Sequence, residues 1–126
     1  MATSSQIPQV QHLSVLAGRS ARERNEVNYD ATVAYHGLPD SRHIAVQATE
    51  SAVLATATDI DVIAEWLFVQ GGTVTKADLP SGQTVWTLAT RTWTDSSKCP
   101  AVPVFVTVVL PSSVLVMHEI AQAVAA

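Results

Sequence analysis

Cysteine is almost missing from this sequence. Cys99 stands alone, so no disulfide can form within the chain, which fits a reducing compartment and a cytoplasmic protein. Charge is scarce too: Asp, Glu, Lys and Arg make up 14% of the 126 residues, against about a quarter in an average globular chain. A disordered chain has the opposite balance, whereas here 48% of the residues are apolar. Folded structure is therefore expected, with some apolar surface left for a partner. Seven cations against eleven carboxylates leave a net charge of −4, which argues against general attraction to nucleic acid or anionic membrane.

Other absences narrow the field further. The start, Met-Ala-Thr-Ser-Ser-Gln, has neither the basic nor the apolar region of a secretory signal, and the first cation is Arg19. Residues 99–117 carry no charge and approach the length of a spanning helix. Pro100, Pro103 and Pro111 interrupt them, so strand, turn and helix account for them better, and no membrane span is expected. Tight metal-ligand pairs such as C-x-x-C or H-x-x-x-H do not occur, nor does a G-x-S-x-G elbow, a Walker loop or a dinucleotide glycine fingerprint. No catalytic residue, metal ligand or cofactor is assigned. His12, His36, His43, His118 and Cys99 beside Lys98 are the residue types from which a small site could still converge in space.

What is present reads as an α+β chain. Residues 1–26 form a loosely held N-terminal arm, part-helical over Ile7 to Leu16 and stopped by Gly18. Residues 27–126 form a single domain. Val27, Tyr29, Ala31, Val33 and Tyr35 alternate with more polar neighbours, which predicts a half-buried strand. After the turn Gly37-Leu-Pro-Asp40, residues 43–49 are expected to pair antiparallel with it; residues 51–58 fit either a strand or a connector. A helix follows over residues 59–70, capped by Thr58 or Asp59 and stopped by Gly71-Gly72. Residues 73–78 and 83–93 flank Pro80-Ser-Gly82 as a hairpin. Val102, Val104, Val106, Val108 and Leu110 form the strongest core face, with Pro103 near the strand's start. A last helix is expected from Ser112 or Ser113, carrying Val116, Met117, Ile120, Ala121 and Val124 on one arc. The expected fold is an antiparallel or mixed sheet of about five strands with two helices packed on it.

The helix over residues 59–70 carries the main question. Asp61 and Glu65 stand four apart and could divide into acid and base, but acids at a helix start are explained by its positive end. Ile60, Ile63, Ala64 and Leu67 make one apolar face, and Val62, Trp66 and Val69 make another. A helix this apolar is covered on more than one side, and a second subunit is the expected cover. The candidate interaction surface is Val62, Trp66 and Val69, extended by Trp86 and Trp93. Arg19, Arg22 and Arg24 are the candidate nucleic-acid contact, diluted by Glu23 and Glu26. The composition, rich in Ala, Val and Thr with little Lys, points to a GC-rich bacterium or its phage. The leading expectation is a non-enzymatic cytoplasmic interaction protein, regulatory or assembly-related, working with a second copy or a protein partner. A nucleic-acid regulator using the arginines, and a small enzyme or ligand-binding fold with a pocket between sheet and helices, are the alternatives.

Overall fold

Val102, Val104, Val106 and Val108 all lie on one buried face, as their alternation predicts. The computed structural model in which they do so describes residues 2–94 and 100–124, with side chains in the first helix from residue 15 onward. In chain order its elements are α1 (Ala2–His36), β1 (Ala45–Ala48), β2 (Val53–Ala57), α2 (Asp61–Gln70), β3 (Thr73–Asp78), β4 (Gln83–Arg91), β5 (Pro103–Pro111) and α3 (His118–Ala123). The strands make one sheet in the order β1-β2-β5-β4-β3. β2 runs parallel to β5, and every other neighbouring pair is antiparallel. This is the mixed five-stranded α+β architecture expected. No helix among the described residues is long and apolar enough to cross a membrane.

Local chemistry sets the ends of α2. Asp59 Oδ1 accepts the Asp61 backbone N–H at 2.9 Å, satisfying one donor that a helix start leaves open. At the other end Gly71, at φ 70°, donates its N–H to the Leu67 carbonyl at 2.9 Å. Gly72 has φ 126°, and a Cβ there would collide with the Ala89 carbonyl oxygen of β4. The double glycine thus both stops the helix and lets the chain pass close to the sheet. The β3–β4 hairpin turns at Gly82, φ 86°, closed by the Leu79 N–H to the Gln83 carbonyl at 2.7 Å.

Four expectations are corrected. Residues 27–36 are the end of α1 rather than a strand, and the helix runs unbroken through residue 26. Two residues advance a helix by about 200°, so an alternating pattern also yields two opposed helical stripes. Tyr29 and Val33 point inward beside Asn25 and Thr32, while Val27 and Tyr35 are 65% and 68% exposed. Gly18 lies within α1, buried against the carboxylate of Glu50, which Arg22 pairs at 3.5 Å. With residues 27–36 helical, β1 pairs instead with β2; residues 53–57 are therefore a strand, joined to β1 by a turn in which Thr49 Oγ1 accepts the Ala52 N–H at 3.0 Å. Finally, β5 reaches Pro111, and a turn and an extended segment precede the short α3. The Ser112 N–H bonds the Gly82 carbonyl at 2.9 Å, and the β-branched Val114 and Val116 favour extended backbone there. Ile120 still enters the core, and Val124 bridges to Val74 of β3.

One core results. Val53, Ala55, Val104, Val106, Trp86, Leu88 and Val74 face Val62, Ile63 and Trp66 of α2, Tyr29 and Val33 of α1, and Ile120 of α3. The inner face of α2 is thus centred on Ile63 and Trp66, with Ala64 and Leu67 only partly covered. Tyr29 stacks on Trp66 with ring centroids 5.5 Å apart and planes at 20°. On the second face of α2, Trp66 is covered by Tyr29 of α1 in the same chain, while Val69 stays half-buried.

Candidate interaction surfaces

The residues proposed as an interaction surface divide between interior and exterior. Val62, Trp66 and Trp86 are buried within the chain. Val69 is half-buried. Trp93 is 39% exposed and stacks on Tyr35 at 4.6 Å with planes 8° apart. The Trp93 backbone N–H is anchored to Thr32 Oγ1 at 3.1 Å, so the end of α1 positions this aromatic pair.

The arginines are interleaved with acids. Arg19 pairs with Glu23 at 3.2 Å and Arg22 with Glu50 at 3.5 Å. Arg24 borders a depression of about 890 Å³ with Glu23, Asn25, Asn28 and Val102. Nothing in this arrangement presents the three guanidinium groups together to a phosphate run. His36 and His43 line two different depressions, and Cys99 lies outside the described residues. Among the described residues no group of three His, Cys, Asp or Glu side chains is placed to hold a metal ion. Tyr29 has its hydroxyl pushed up to about 12 from 10.0, first by burial and then by the negative charges of Asp40 and Asp30.

Two features that the residue pattern did not single out stand on the surface instead. The first is the side of the sheet facing away from the helices. Strand register places Thr56, Thr107, Thr87 and Thr75 side by side across β2, β5, β4 and β3. Leu54, Phe105, Ala89 and Thr73 form the adjoining row, and Val109, Val85 and Ala77 the row beyond. None of these eleven residues is charged, and none is buried. Arg91, opposite Pro103, stands at the border. The signal was available in β5, whose positions between the core valines are Phe105, Thr107 and Val109 rather than charged residues.

The second feature is a groove of about 470 Å³ between the end of α1, α2 and α3. Leu38, Ala64, Leu67, Val69 and Met117 line it, and Glu65 and Glu119 border it. Phe68, which also lines it, is 91% exposed. Asp59, Asp61 and Glu65 line a neighbouring depression with His43 and Ile44, so the two share Glu65.

Fold and surface together define a one-sided sheet domain: three helices on one face, and on the other a plateau of eleven uncharged residues bordered by Arg91. Comparison with protein-family models, with curated proteins and with solved structures gives no match, and the functional reading rests on these surfaces.

Proposed function

We propose that the protein is a non-enzymatic interaction protein whose working form is a homodimer, two copies packed through the uncharged faces of their sheets. The observation that carries this reading is the charge-free plateau spanning β2, β5, β4 and β3. An antiparallel sheet with one face in water ordinarily alternates apolar with polar, often charged, residues. Six of the eleven residues are apolar, in rows on either side of the threonine row, and apolar surface gathered on one exposed face marks an interaction site.

A twofold interface sets one patch against itself, so a patch with net charge repels its own copy. The eleven residues of the plateau carry no charge to repel, and Arg91 stands only at its edge. With strands about 4.8 Å apart and same-face rows about 6.7 Å apart, the plateau measures roughly 20 by 20 Å. Two opposed plateaus bury on the order of 1,000 Å² once side-chain relief is included, the lower end of specific interfaces. Sheets packed this way sit about 10 Å apart. The threonine hydroxyls can then exchange hydrogen bonds across the dyad while their methyls pack. In this reading the dimer is a regulatory or assembly partner, and a reducing cytoplasm suits its single cysteine.

Solution mass tests the reading. Wild type at roughly 100 μM is expected at twice the chain's 13.4 kDa, and Thr107→Lys, which sets a cation at the centre of the plateau, at the monomer mass. A wild type that stays monomeric at that concentration would refute the proposal.

A further inference from the structure

We infer that the groove bordered by α2 and α3 docks a cationic amphipathic helix of another protein. The site lies among the helices and is separate from the sheet face that carries the proposed dimer. Its floor is apolar and continuous: Leu38, Ala64, Leu67 and Met117 come from three different parts of the chain and meet there. Its volume of about 470 Å³ falls in the range of binding clefts, roughly 300–1,000 Å³.

Phe68 makes the strongest argument for an occupant. A phenylalanine 91% exposed beside a groove forgoes its whole burial energy in the free protein. Aromatic side chains at the edge of an apolar pocket are the residues from which interface hot spots are built. The helix end requires no phenylalanine at this position, since Gly71 and Gly72 already terminate it.

Charge selects the kind of partner. Glu65 and Glu119 border the apolar floor, and Asp59 and Asp61 continue the acidic border along α2 through the depression that shares Glu65. Among the described residues, the other titratable groups lining the two depressions are the imidazoles of His36 and His43. Among the described residues none of the four carboxylates is in an ion pair; the pairs formed are Arg19–Glu23 and Arg22–Glu50. An apolar floor with acidic borders complements a helix whose apolar stripe is flanked by Lys or Arg, the helix-in-groove mode of recognition. No strand edge borders the groove, so β-augmentation does not apply to it.

The test uses the full chain and two synthetic amphipathic peptides of about 18 residues, one Leu/Lys and its Leu/Glu twin, titrated by calorimetry at low and high salt. The Leu/Lys peptide is expected to bind with salt-weakened affinity and the Leu/Glu peptide to bind at least about tenfold more weakly. Phe68→Ser, at a position that contributes little to folding, should weaken Leu/Lys binding about thirtyfold. Glu65→Gln with Glu119→Gln should weaken it and flatten its salt dependence. Thr107→Lys, directed at the sheet face, should bind the peptide as wild type does, so loss of the dimer and loss of the groove are read separately. No binding of the Leu/Lys peptide, equal binding of both peptides, or full binding by Phe68→Ser would overturn the inference. So would a change in solution mass on Phe68→Ser, which would assign the groove to a second copy.

Discussion

Placing a lysine at position 32 separates the helical reading of residues 27–36 from the alternating-strand reading. In a strand, Thr32 would lie on the opposite side from Tyr29 and Val33, among the wet positions. In α1 it is 1% exposed, donates to the Asn28 carbonyl at 2.8 Å and accepts the Trp93 backbone N–H at 3.1 Å. Thr32→Lys withdraws that acceptor, leaving a part-buried N–H unpaired at about 1–3 kcal/mol. It also forces a longer side chain into a filled site, about 1–3 kcal/mol more, before the desolvation of an ammonium is counted. The sum, roughly 4 kcal/mol or above, is a large share of the 5–15 kcal/mol that holds a typical domain. Thr32→Val keeps the shape and loses only the hydrogen bonds, at about 1–3 kcal/mol. Ala31→Lys, one residue away on the exposed side, should stay within about 0.5 kcal/mol of wild type. Urea unfolding followed by tryptophan fluorescence and by circular dichroism measures all three. Equal midpoints for Thr32→Lys and Ala31→Lys would refute the packing of α1 described above.

Two further outcomes follow from single positions. Tyr29 has a folded pKa of about 12 against 10.0; its contribution is fully present below pH 10 and is lost as pH rises toward 12, with a slope of at most about 1.4 kcal/mol per pH unit. Urea midpoints across that window should fall in wild type and fall less steeply in Tyr29→Phe. Gly72→Ala must place a Cβ against the Ala89 carbonyl at φ 126°, so it should destabilise by about 1–3 kcal/mol, whereas Gly82→Ala, with open space around it, should cost about 1 kcal/mol from φ alone; the same unfolding curves compare them.

Strands and stops were legible where one physical rule governed them. The valines of β5 could satisfy their alternation only as a strand, because β-branched residues bounded by prolines leave no helical alternative of useful length. Asp59 and Gly71-Gly72 declared the ends of α2 through an acceptor and dihedrals that few other residues supply. The end of α1 was not legible by alternation, since Val27 to Tyr35 satisfies a period of two and a pair of i, i+4 stripes equally well. Only Asn25 and Thr32, polar yet buried with Tyr29 and Val33, break that degeneracy. Their burial depends on partners 24 and 61 residues away, Thr49 and Trp93. Pairing of that range is tertiary information, which local pattern does not contain.

The helical end of α1 also bears on the candidate surface of α2. A strand over residues 27–36 would leave no element of the chain to cover Trp66 and would call for a second subunit as the cover there. Once α1 supplies it, all three helices stand on one side of the sheet, and the surplus apolar surface must lie elsewhere. It lies on the far face, where Leu54, Phe105 and Val109 are each at least 36% exposed. A chain with 14% charge could have spent some of it there, as edge and face lysines commonly do. Four of the eleven carboxylates, Asp59, Asp61, Glu65 and Glu119, stand at α2 and α3 instead, beside the groove that exposes Phe68. In the reading proposed above, this division leaves one surface for a second copy and another for an oppositely charged partner. On those two proposals the surfaces are separate, so each can be filled without displacing what occupies the other.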